Sequence, residues 1–251
     1  DVHPNASALE YKLAIKSISN ASFSIRRMVL DGFAKDNLLD FNFKLLDKED
    51  KTCYLIGAEL LAEETQQQLH MKEGSFILDY TPWTVNPANR IVFGDKGFYA
   101  RDFELGYQKS LIRLASEEEK MNSPLAVNFE NFSIEAITKM IQKDKLLAGG
   151  TINGEIHLKD LTSDFRFVSD IDITDLAVYE IGLGNLHIGV SNQSLSQYAA
   201  NIVLEGKENK IRLFGVTDVD QQSLDLKLAI DKFQLEALEH FSMGNLSNAQ
   251  G

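Results

Sequence analysis

Apolar and polar residues alternate along most of this chain. Tyr11, Leu13 and Ile15 alternate with polar residues or alanine, as do Leu39, Phe41, Phe43 and Leu45. After residue 150 the pattern is cleaner, in Ile156 and Leu158, then Leu186, Ile188 and Val190, then Leu224, Leu226, Leu228 and Ile230. A period of two with one apolar side predicts half-buried β-strands. Turn-forming clusters separate them at Asp31–Gly32, at 47–50, at 94–97, at Ser191–Asn192 and at 206–209. Strands joined by such short links are expected to be antiparallel neighbours in a meander.

Three segments carry a helical signal. Ser133 to Leu147 places Ile134, Ile137, Met140 and Ile141 on one side, with Glu135 in the first turn and Gly149 beyond the end. Gln234 to Ser242 does the same with Leu235, Leu238 and Phe241. Leu60 to Gln68 is a weaker helix candidate that also reads as a strand leading into a polar loop. The segment Thr81 to Asn89, with Pro82, Trp83 and Pro87, reads as a long turn or an edge crossing.

One stretch recurs. Leu125 to Ile137 matches Leu226 to Leu238 without a gap, at an offset of 101 residues, and Phe132, Glu135, Ala136 and Gly150 match Phe233, Glu236, Ala237 and Gly251. A fixed period predicts units that stack on their neighbours. The second copy reaches only its glycine, so the chain is expected to be a piece of a longer array.

The formal charge of -12 disfavours nucleic acid and anionic membrane surfaces as partners. Cys53 is the single cysteine, so no internal disulfide is expected. The sequence contains no nucleophile elbow, phosphate loop or dinucleotide fingerprint. The histidines (His3, His70, His157, His187 and His240) lack the short spacing of a metal site. Alternation puts His157, His187, Asp170 and Asp172 on polar, solvated strand faces. Trp83 is expected to pack over a sheet edge. No enzyme and no cofactor is expected.

So many one-sided strands leave one apolar sheet surface, which two short helices are too small to cover. The expected fold is mainly β: a single curled antiparallel β-sheet, a β-taco or groove, with two or three short helices. If the walls touch, the alternative is a closed β-sandwich.

Several motifs resemble a known family. Leu125 to Ile137, followed by Leu147 to Gly154 with its glycine pair, is similar to the strand, short helix and glycine unit in the C-terminal region of the TamB family, the translocation and assembly module subunits. Asp175 to Ile188, Asn209 to Gly215 and Trp83 to Ile91 also resemble that family, the last its Bacteroidetes-type members. The resemblance covers residues 75–251 as a repeating β-groove, with units beginning near 125 and 226; residues 1–74 are expected to be a β-rich first part of the same groove. It implies a periplasmic rod anchored in the inner membrane by a segment not present here. It implies transport of phospholipids toward the outer membrane, and assembly work with a BamA-type outer-membrane barrel. Phospholipid acyl chains would then lie along Phe165, Phe167, Ile171, Ile173, Leu186, Ile188, Val190, Ile202, Leu204, Ile211, Leu213, Leu224, Leu226 and Leu228.

Overall fold

A computed structural model describes residues 2–5, 8–19, 24–141, 147–161, 165–179, 181–192 and 194–234. The strands follow in chain order: β1 (Val2–Asn5), β2 (Ala8–Ser19), β3 (Ser24–Lys35), β4 (Leu38–Leu46), β5 (Thr52–Ala62), β6 (Gln66–Leu78), β7 (Thr81–Pro82), β8 (Thr84–Val85), β9 (Arg90–Gly94) and β10 (Gly97–Arg101). They continue with β11 (Phe103–Tyr107), β12 (Ser110–Ser116) and β13 (Leu125–Ser133), then helix α1 (Glu135–Ile141). After the helix come β14 (Ala148–Lys159), β15 (Arg166–Val178), β16 (Ile181–Asn192), β17 (Gln197–Gly206), β18 (Asn209–Asp218) and β19 (Ser223–Lys232). The fold is mainly β, every pairing is antiparallel, and neither sheet closes into a barrel.

The expected single sheet is instead two. The first runs β1-β2-β3-β4-β5-β6-β9-β10, with β7 on β6, and the second runs from β19 back in order to β11 and then β8. The break has a local cause in β6, which is paired differently along its length. Its first residues, Gln66–Leu69, pair with β9, and its last, Ile77 and Leu78, pair with β7. The chain then crosses at Trp83, whose N–H donates to the Phe76 carbonyl, into β8 of the second sheet. Pro82 and Pro87 flank this crossing and have no N–H to extend a ladder. The 74/75 division drawn from the sequence falls inside β6.

Side chains close the gap that the split leaves. Asn89 is fully buried; its Nδ2 donates to the Met71 carbonyl at 2.9 Å, and its Oδ1 accepts the Met71 N–H at 2.8 Å. One amide thus stands in for a strand partner of β6. The Ala100 N–H donates to Ser116 Oγ and the Asn122 N–H to the Phe98 carbonyl, joining β10 to the second sheet. Trp83 is 5% exposed, with its ring 5.6 Å from Phe132 and 6.0 Å from Tyr107. It packs over the sheet junction as its apolar area predicts.

One buried cluster holds the two sheets together. Leu45, Tyr54, Met71 and Phe76 come from the first sheet; Val85, Leu105 and Phe132 come from the second. The apolar sides of both sheets therefore face each other at this seam. Helix α1 lies on that same side. Its Ala136 packs on the shared cluster, and the helix touches β14 and β3, one strand from each sheet. Glu135 ties its start down, accepting from Ser133 Oγ at 2.7 Å and from the Gly150 N–H at 3.1 Å. The helix is shorter than the predicted Ser133–Leu147, and residues 142–146 are not described. Leu60 to Gln68 is the end of β5, a turn and the start of β6, so it is not helical. The predicted helix from Gln234 to Ser242 lies outside the described residues, apart from Gln234.

Candidate functional site

Register turns the alternation of single strands into continuous rows. Leu105 pairs with Val85 on one side and Ile112 on the other; Ile112 pairs with Phe129, and Phe129 with Gly154. The row continues through Ile171, Ile188, Ile202, Leu213 and Leu228. It crosses all ten strands of the second sheet, about 40 Å at the usual interstrand spacing.

Two more rows flank it. Phe132, Ile152, Ile173, Leu186, Leu204, Ile211 and Ile230 form one. The other contains Phe103, Leu114, Val127, Ile156, Ser169, Val190, Ala200, Gly215 and Leu226. The remaining predicted residues lie at one margin. Phe167 pairs with Leu158, Leu224 pairs with Thr217, and Phe165 precedes β15 with its ring stacked on Phe167 at 5.9 Å. Most of the predicted set is thus brought onto one surface.

Glycine shapes two points in these rows. At Gly154, φ is +126°, and a Cβ would lie 2.1 Å from the Asp170 carbonyl oxygen. At Gly215, φ is +147°, and a Cβ would lie 1.9 Å from the Asp225 carbonyl oxygen. Neither position tolerates a side chain, because the neighbouring strand's backbone occupies the space.

The rows are buried at one end and exposed at the other. At the seam, Val85, Leu105 and Phe132 are buried against the first sheet. On β15 to β18 most of the row residues are half-buried, with Ile171 and Leu204 each 9% exposed. On β19, Leu224 is 71%, Leu226 41%, Leu228 61% and Ile230 56% exposed. Leu183 and Leu204 form a second small cluster with Leu186, Ile211 and Phe233, drawn wholly from the second sheet and the residue after β19. The apolar surface therefore begins as a closed core and ends open.

The first sheet carries a matching row, Leu13, Leu30, Phe43, Ile56 and Phe76, which the predicted set omits. It too runs from exposed (Leu13, 54%) to buried (Phe76, 7%) as it nears the seam. The alternation of Leu13 and Phe43 signalled the strands. Only the register shows that they continue the same surface.

The opposite surface is polar. Asp170, Asp172, His187, Arg212 and Lys227 alternate with the row residues, although Val168, Phe214 and Val216 are exposed there too. On the first sheet, burial opposes ionisation of Asp31. Hydrogen bonds from Lys44 and Asn42 and the charges of Lys44 and Lys12 outweigh it, holding the carboxyl below its ordinary range. The Tyr80 phenol is pushed up to about 12, chiefly by its 2.8 Å hydrogen bond to Asp47. Burial raises the Tyr54 phenol, and its hydroxyl has no hydrogen-bond partner among the described residues. Tyr54 and Tyr80 share a neighbourhood beside Cys53 and Asp79, Asp31 is governed by Lys44, Asn42 and Lys12, and the apolar rows contain no ionisable group. No described helix is long and apolar enough to cross a membrane.

Comparisons with protein-family models, curated proteins and solved structures find no match to this chain.

Proposed function

We propose that this chain is a periplasmic segment of a TamB-like envelope-biogenesis protein, and that its apolar surface holds phospholipid acyl chains in transit to the outer membrane. In this reading it is not an enzyme, and the whole protein is anchored in the inner membrane. The single observation that carries the reading is the run of register-aligned apolar rows emerging from a closed seam into exposed leucines on β19. Acyl chains need a continuous apolar track and no specific polar grip. A dozen methylenes covered by the rows would contribute about 10 kcal/mol before ordering costs, at about 0.8 kcal/mol each. The β-taco is then formed by both sheets, with the seam as its fold. Helix α1 stops the track at that end, so lipid occupies the part from β14 to β19. The polar, acidic outer surface leaves head groups in water.

Lipid extraction and native mass spectrometry of the purified chain test this. Co-purified phospholipid is expected; a lipid-free protein that takes up none from vesicles contradicts the reading.

One observation favours a second reading. Among the described residues β19 pairs on one side only, and all ten of its residues are exposed. Such an edge can accept another strand, which fits a scaffold for outer-membrane proteins working with a BamA-type barrel. Crosslinks from β19 backbone-edge positions to a nascent barrel strand, without any to lipid, would favour it.

A further inference from the structure

We propose that Asp170, Asp172 and His187 form a binding site for a divalent transition-metal ion of the zinc class, on the surface opposite the apolar rows. Alternation along β15 projects Asp170 and Asp172 from the same side, two residues apart. Register on β16 puts His187 directly across from Asp172. His187 Nδ1 lies 3.0 Å from Asp172 Oδ1 and 3.7 Å from Asp170 Oδ1, and the three donor atoms all lie within 4.8 Å of one another. In a tetrahedral zinc site, bonds of about 2.0–2.1 Å set neighbouring donor atoms about 3.3–3.4 Å apart. The two imidazole distances bracket that value, so small side-chain rotations would close the set around an ion.

Two further features favour an ion over a simple hydrogen-bonded pair. The residue opposite Asp170 on β16 is Gly189, and a Cβ there would stand 3.4 Å from His187 Nε2. Glycine there leaves that side of the imidazole open. On the other side, Asp170 faces Glu155 of β14, a directly opposed like-charge pair. Such pairs destabilise a sheet. The rows through Asp170 and Asp172 carry Glu155 and Asn153 on β14 and Gly189 and His187 on β16, so neither has a lysine or arginine on these three strands. Glu155 is itself engaged by His157, its Oε1 lying 3.1 Å from His157 Nε2, so it does not neutralise Asp170. The imidazole decides the class. Carboxylates alone suit magnesium and calcium, whereas imidazole with carboxylate suits zinc and its neighbours. A bound ion would pin β15 to β16 beneath the open part of the apolar surface.

The test is calorimetric titration of the full chain with zinc chloride, repeated with calcium chloride. The variants are His187→Gln, Asp172→Asn and, as a control elsewhere in the chain, His240→Gln. Saturable zinc binding is expected in the parent and in His240→Gln, weakened at least tenfold in the other two, with calcium weaker by a similar factor. Cobalt substituted for zinc should give tetrahedral visible absorption that His187→Gln abolishes. Melting without metal checks that each variant folds; if His187→Gln does not, Asp170→Asn replaces it. Absence of zinc binding, zinc binding unchanged by His187→Gln, or equal affinity for calcium would overturn the proposal.

Discussion

Replacing Leu224 and Leu228 together by glutamine separates ligand binding from stability. Both side chains sit on the apolar side of β19, Leu228 in the central row and Leu224 at the margin, at 61% and 71% exposure. Full burial of a leucine stabilises by about 1.5–3 kcal/mol, so these two together hold at most about 1–2 kcal/mol of folding stability. By contrast, Ile171 and Leu204 are each 9% exposed, and truncating such residues costs about 2–5 kcal/mol apiece. For an acyl chain the ranking reverses. Two leucines covering four to six methylenes on one side would contribute about 2 kcal/mol, roughly half the full transfer value. That corresponds to more than a tenfold loss of affinity. The assay pairs titration of a fluorescent phospholipid analogue with thermal unfolding of the same samples. The expected result is binding weakened at least tenfold with a small change in melting. Unchanged binding with intact folding would refute the placement of acyl chains on β19.

Other expectations follow from the seam and from the displaced phenols. Asn89→Ala removes both partners of the buried Met71 backbone; at about 1–3 kcal/mol per buried unsatisfied group, urea unfolding should show a loss of about 2–6 kcal/mol. Tyr54→Phe removes a buried hydroxyl that has no hydrogen-bond partner among the described residues, so stability should hold or rise by about 1 kcal/mol, and a clear loss would show that the hydroxyl is satisfied. The Tyr80 phenol is raised from 10.0 to about 12 by Asp47. The folded state therefore holds this proton more tightly than the unfolded chain, and the contribution is full below pH 10 and lost as pH rises through 12. Asp47→Asn should bring the Tyr80 phenolate absorbance, isolated by difference against Tyr80→Phe, in at lower pH.

The strands were legible because side-chain direction in a strand depends only on the sequence period. Leu186, Ile188 and Val190 announce their shared side without any partner. What joins them to Ile202, Leu213 and Leu228 is register, and register is set by cross-strand pairing that no single segment contains. For the same reason Gly154 could not be recognised as a link in a row between Phe129 and Ile171. The split of the expected single sheet was hidden in β6, whose sequence does not say that its two ends take different partners. Of the repeat's matched pair, Phe132 lies in the seam core and Phe233 in the smaller cluster after β19. Alternation puts Asp170 and Asp172 on one solvated face, but that His187 stands beside them depends on the register of the next strand.

The central claim is that acyl chains lie on one side of the second sheet only. A photo-crosslinking scan over β16 to β19, with a benzophenone amino acid at single positions and phospholipid vesicles as the source, tests it most directly. Positions 188, 202, 213 and 228 should crosslink lipid, and 187, 203, 214 and 227 should not. Phe214 is the sharpest control, since it is apolar and 44% exposed but faces the other side. Crosslinks at alternate positions only would support the account; lipid captured equally on both sides, or only at the exposed outward residues such as Phe214, would contradict it.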